Sequence, residues 1–172
     1  KGVYIVTGGL GFLGSAHCKA IAAFGGTPVA IDISLKNYSS LKEEIKDQYG
    51  VDFIAYDIDI CSKESLLKIA NNIKAEFEIK GLVNNAARNP VVNSEGLKNL
   101  SRLEDFSLDE WNLDLKVGLT GAFLCTQVFG SIMNDNDGGS IVNISSDLGL
   151  IAPNSHFIYK RGKEKKSSLW NQ

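Results

Sequence analysis

Thr7-Gly8-Gly9-Leu10-Gly11-Phe12-Leu13-Gly14 is the stretch whose reading decides the fold of this 172-residue chain. It follows a short apolar run, Val3 to Val6, that reads as a buried strand. It precedes an apolar-periodic segment, Phe12 to Phe24, that reads as a helix. Gly8, Gly11 and Gly14 recur at every third position across the strand-to-helix turn. One glycine permits the tight turn, one lets a ligand approach the backbone, and one lets the helix pack on the strand. The N–H groups that open the helix face the turn, and the helix dipole favours an anion there. The pattern predicts a dinucleotide pyrophosphate as the guest; a glycine-rich turn with no ligand is the plainer alternative.

Length and composition set the frame. The chain suits one domain with a sizeable core. It is 44% hydrophobic and 22% charged, with a formal net charge of −2. Such mild acidity gives no reason to expect a nucleic acid or a membrane surface as partner. No apolar run is expected to approach the length of a membrane span, and no signal peptide is visible, although the chain opens on Lys1. Cys18, Cys61 and Cys125 are an odd number at wide spacing. They fit neither a metal site nor a disulfide framework, so a reduced, cytoplasmic setting is expected, with no metal. Cys18 and Cys125 fall in expected helices and read as core fillers.

Beyond the first helix, Pro28 and two glycines precede Val29-Ala30-Ile31-Asp32, a second apolar run ending in an acid. Asp32 stands where a carboxylate accepts hydrogen bonds from both ribose hydroxyls of an adenosine and repels a 2′-phosphate, which selects NAD over NADP. A solvent-exposed strand-end aspartate is the alternative. Tyr38 to Tyr49 reads as an exposed helix and Val51 to Tyr56 as a strand closed by Asp57-Ile58. There the acid can accept from the adenine amino group with Ile58 against the ring, or merely cap the strand end. Ser62 caps a helix whose stripe is Leu66, Leu67, Ile69, Ala70, Ile73 and Phe77, ended by Gly81. Leu82-Val83-Asn84-Asn85-Ala86-Ala87 reads as a buried strand entering a small-residue turn. This alternation of strand and helix predicts an α/β domain: a Rossmann-like, doubly wound parallel sheet with helices on both faces.

On the Thr7–Gly14 turn, Asp32, Asp57 and Asn84-Asn85-Ala86-Ala87, in that order and spacing, the chain resembles the short-chain dehydrogenase/reductase family. The resemblance implies that Thr7, Gly8, Gly11, Phe12, Leu13, Gly14, Asp32, Ile33, Asp57, Ile58, Asn84, Asn85, Ala86 and Ala87 bind NAD. Two details depart from the commonest pattern. The three-residue glycine steps are those of the family's extended branch, and Ala87 stands where glycine is usual. Arg88 to Leu103 reads as a loop across the carboxyl edge of the sheet. Ser107 opens a long helix with Asp109 and Glu110 in its first turn. Trp111, Leu115, Leu119, Ala122, Phe123, Thr126 and Phe129 are its expected buried face. This helix resembles one that packs on its copy in a partner subunit, which implies a homodimer or homotetramer. Gly118 stands where the family has an asparagine that holds a relay water.

After the turn Asn136-Asp137-Gly138-Gly139, Ser140 to Ile144 reads as a buried strand ending in Ser145-Ser146. Ser146, Tyr159 and Lys163 resemble the family's Ser…Tyr-x-x-x-Lys catalytic set. The match implies that Ser146 orients the carbonyl or alcohol and Tyr159 is the general acid or base. It also implies that Lys163 lowers the tyrosine pKa and holds the nicotinamide ribose. The residue types suit that chemistry. A free tyrosine, with a pKa of about 10, is a poor base at neutral pH, and a nearby ammonium favours its phenolate. Positions i and i+4 share a helix face.

After Lys163 the family pattern stops. Lys160, Arg161, Lys163, Lys165 and Lys166 form a basic cluster with no buried face, so residues 160–172 read as an irregular tail. The resemblance therefore covers about the first two-thirds of a standard member, and the last strands of the sheet are expected to be missing. Residues 1–172 are read as one NAD-binding domain, an oxidoreductase acting on a secondary alcohol or its ketone. A nucleotide-binding protein without turnover, or an extended-branch enzyme modifying a nucleotide-sugar, are the alternatives.

Overall fold

The computed structural model describes residues 2–88 and 106–146. Five strands, β1 (Gly2–Thr7), β2 (Thr27–Asp32), β3 (Ile54–Asp57), β4 (Glu78–Asn84) and β5 (Ser140–Asn143), form one parallel sheet in the order β3-β2-β1-β4-β5. Between them run α1 (Phe12–Ala23), α2 (Tyr38–Tyr49), α3 (Lys63–Glu76), α4 (Leu108–Leu115) and α5 (Ala122–Asp135). Side chains alternate faces along a strand, so each run feeds two cores. Val3, Ile5, Val29 and Ile31 pack with Leu66, Ile73, Cys125 and Phe129 of α3 and α5. Val6 and Ala30 pack with Cys18 and Ala22 of α1 and with Leu41 and Ile45 of α2. Coverage of both faces is what makes these strands continuously apolar. The expected doubly wound architecture is what the chain adopts.

Several boundaries differ from the sequence reading, each for a local reason. Pro28 lies inside β2, paired with Tyr4, but one residue before the β3 pairing begins at Val29. The strand expected over Val51 to Tyr56 is Ile54–Asp57, while Phe53 leaves the ladder and enters the core under α2. Gly81 does not end α3, which stops at Glu76; it lies within β4, where a Cβ would meet the ring of Tyr4 at 2.7 Å. Within the α3 stripe, Leu67 turns outward.

The long helix is continuous from Leu108 to Asp135 but widens into a π-helical stretch, Lys116–Gly121, between α4 and α5. Its expected buried face is largely exposed: Trp111, Leu115, Leu119 and Phe123 face outward, and only Phe129 of that set is buried. The seat is made instead by Cys125, Val128, Phe129 and Met133. The wide turn changes which residues meet the sheet, because i and i+4 no longer share one face through a π segment. The strand expected to be buried after the turn is exposed along all four residues of β5, which among the described residues pairs with β4 alone. One 18-residue window within Leu108–Asp135 has a mean hydropathy of 1.3, so by length and composition alone this helix is long and apolar enough to cross a membrane, against the expectation that no run would be. Its inner face lies on α3 and β4.

Candidate cofactor site

The winding reverses between β1 and β4, and in such sheets a crevice opens outside the carboxyl ends of those strands. The register brings the expected residues to that edge. Asp32 stands opposite Asp57, and Asn84 opposite Asn143, with Thr7 at the end of β1 between them.

At the end of β1, Gly8 adopts φ +63 and donates its N–H to the carbonyl of Ile31 at 2.7 Å. A Cβ on Gly14 would lie 2.0 Å from the Gly8 carbonyl oxygen, and one on Gly9 would lie 2.6 Å from the Ala30 methyl. Gly11 is nearly open, with only the Gly8 carbonyl at 3.3 Å. The close approaches are therefore made by Gly8, Gly9 and Gly14. The every-third-residue pattern missed Gly9; the adjacent pair Gly8-Gly9 directly after a strand is the signal that finds it. The first helical hydrogen bond of α1 runs from the Ser15 N–H to the Gly11 carbonyl, at 2.9 Å. The N–H groups of Phe12, Leu13 and Gly14 precede it. Gly11 has no side chain to cap them, and the first turn holds no acid. In α3 and α4, by contrast, Ser62 and Ser107 accept from Ser65 and Glu110, and acids stand in both first turns. A helix start stripped of its own anions, beside a cradle that a Cβ would fill, fits a dinucleotide pyrophosphate.

Thr7 stitches the two sides of the crevice. Its buried hydroxyl oxygen accepts the N–H groups of Asn85 and Ala86, both at 3.0 Å, and donates toward the Val83 carbonyl at 3.4 Å. The Asn85 Nδ2 donates back to the carbonyls of Thr7 at 3.0 Å and Gly8 at 3.3 Å. Asn84 turns inward, donating Nδ2 to Thr126 and Asn143. Ala86 is half-buried and Ala87 exposed.

Asp32 braces the glycine turn as well as standing at the strand tip. Its Oδ2 accepts from the Leu10 N–H at 3.0 Å and its Oδ1 from Ser34 N–H at 3.3 Å. A carboxylate has about four lone-pair sites, so acceptor capacity remains for ribose hydroxyls. Ile33 and Asp57 are exposed beside it, while Ile58 packs on the α3 core with its N–H on the Asp32 carbonyl.

Arg88 was expected only as the start of the loop across the sheet edge, not as a bridge to α4. Its guanidinium bridges Glu110 and Asp114, the latter at 3.1 Å, and so fastens the end of the Asn84–Ala87 turn to α4. Those two hydrogen bonds push its pKa further up. Gly118 lies exposed in the π stretch, where a Cβ would meet nothing within 4 Å. Nearby, the Cys61 thiol donates to the Lys116 carbonyl at 3.3 Å. Ser146 is exposed beyond β5; Tyr159, Lys163 and the loop from 89 to 103 lie outside the described residues.

The family model of the short chain dehydrogenases matches residues 2–168. The chain belongs to that family. Its members are oxidoreductases that use nicotinamide cofactors. The oxidoreductase YuxG of Bacillus subtilis (strain 168) is 31% identical over 97% of this chain and 23% of its own length. The D-threitol dehydrogenase of Mycolicibacterium smegmatis is 29% identical over 94% of this chain and 58% of its own. An NAD+-bound xylitol dehydrogenase structure superposes with a TM-score of 0.77 at 24% identity, covering 88% of this chain and 55% of that one; it shares the fold. The chain thus spans less than two thirds of the length of each of these proteins.

Proposed function

We propose that this short-chain dehydrogenase is an NAD-dependent oxidoreductase acting on a secondary alcohol or its ketone, with residues 1–172 forming one NAD-binding domain. The observation that carries the reading is Asp32, whose carboxylate stands at the tip of β2 and is held against the glycine turn by Leu10. A negative charge there welcomes two ribose hydroxyls and repels a 2′-phosphate. The N–H groups of Phe12, Leu13 and Gly14 would hold the pyrophosphate, Asp57 and Ile58 the adenine, and the Asn84–Ala87 turn the remainder. A bound nicotinamide supplies or accepts the hydride. Ser146 orients the substrate oxygen, Tyr159 gives or takes its proton, and the Lys163 ammonium favours the phenolate that does so. The outward apolar side chains Trp111, Leu119 and Phe123 support a homodimer or homotetramer, and the three free thiols support a cytoplasmic setting.

Calorimetric titration of the chain with NAD and with NADP tests this. NAD should bind more tightly. Asp32→Asn, which keeps an acceptor for Leu10 but removes the charge, should narrow that preference by roughly tenfold. Equal affinities in the parent chain would overturn the assignment. A second reading, nucleotide binding without turnover, is favoured by Gly118, which has no side chain to hold a relay water. Sustained NADH production from a panel of alcohols and polyols excludes it.

A further inference from the structure

We propose that Thr126 and Asn143 are positioning residues for the cofactor, acting through Asn84. The proposal rests on the NAD reading above. Asn84 is 6% exposed, at the end of β4, and its two amide hydrogens are fully committed. One goes to the Thr126 hydroxyl of α5 at 3.0 Å and the other to the Asn143 Oδ1 of β5 at 2.8 Å. The Asn84 carbonyl takes the N–H of Ile144 at 3.0 Å, so the pairing of the two strands continues past β5. Three elements separated by 42 and 59 positions in sequence thus converge on one side chain.

The node is an odd choice for holding a core together. Leu82, Cys125, Val128 and Phe129 lie along the same elements and are apolar and buried, so an aliphatic residue would pack here with no polar group to desolvate. The Asn84 Oδ1 is buried with no partner among the described residues, which makes the amide costlier still. What the amide supplies is direction. One peptide beyond it, Asn85 locks onto Thr7 and Gly8, the residues that shape the glycine turn. Three residues beyond Asn143 stands Ser146. A shift of Asn84 therefore moves the cofactor turn and the strand carrying Ser146 together. With the node intact, the two sides of the crevice keep one register.

The test is NADH fluorescence titration of the full 172-residue chain beside its thermal midpoint. Thr126→Val keeps the shape and removes the acceptor; Thr126→Ser keeps the acceptor. Asn143→Ala removes the second acceptor from an exposed strand and covers the case in which Thr126→Val does not fold. Thr126→Val and Asn143→Ala should each weaken NADH roughly tenfold, with Thr126→Ser within about twofold of the parent and all midpoints within a few degrees. Unchanged affinity in the two deletions, or a loss in Thr126→Ser equal to that in Thr126→Val, overturns the proposal. So does a loss of affinity that merely follows a falling midpoint. A parent chain that binds no NADH overturns the NAD reading and this one together, before any variant is made.

Discussion

A Cβ on Gly14 would lie 2.0 Å from a backbone oxygen, whereas one on Gly118 would meet nothing within 4 Å. The two glycines belong to regions built on different terms. Around Gly14 the backbone of β1, its turn and α1 are in mutual contact, and Asp32, Thr7 and Asn85 bind main-chain groups rather than one another. Around Gly118 the helix is wide, its apolar side chains point outward, and β5 shows both faces. The first region is closed: main chain lies on main chain with no room for a side chain between. The second is open, with its apolar side chains and the strand beside it exposed among the described residues.

The interiors of both regions are sealed alike, and high pH tests that limit to the contrast. Burial pushes the thiols of Cys18, under α1, and Cys125, in α5, up to about 12. From about pH 9 upward the unfolded chain loses these protons while the folded chain keeps them. Their contribution is therefore fully present below about pH 9 and is lost as pH rises toward about 12, at about 4 kcal/mol per thiol. Urea titrations at pH 8 and pH 11 should show a fall that is visibly smaller in Cys18→Ala. An equal fall would mean the α1 side is wetter than its contacts show.

The glycines themselves give the next largest effects, with opposite signs. Gly14→Ala forces the turn and α1 apart and should cost about 3 kcal/mol, lowering the melting temperature by roughly 6–12 °C. A loss below about 1 kcal/mol would show that the turn yields easily and would break the comparison. Gly118→Ala meets no neighbour and restricts the unfolded chain, so it should stabilise by about 0.5–1 kcal/mol in the same melts. Destabilisation there would mean the π stretch needs a glycine for its backbone.

What could be read from sequence follows the same division. The glycine turn, the bounds of α2 and the caps Ser62 and Ser107 were legible because each depends on residues a few positions apart. Gly81 misled because its reason is the ring of Tyr4, on a neighbouring strand. The outward turn of Trp111 and Phe123 was hidden because helical periodicity shows that a stripe exists, not what it faces. Arg88 carried no local pattern at all; its partners are a full segment away on α4. Asn84 was assigned to the site, but only the structure shows its side chain turned away from the crevice edge and into the protein.

Thr7 and Asn85, bonded through a hydroxyl and an amide, are 78 positions apart. A ribosome adds about 5–20 residues per second, so roughly 4–16 s separate the emergence of one from that of the other. During that interval β1 has β2 on one side and a bare edge on the other. The two sides of the candidate cofactor crevice are thus made several seconds apart. Until β4 emerges, a nascent chain of this protein carries β1 with that parallel-strand edge open.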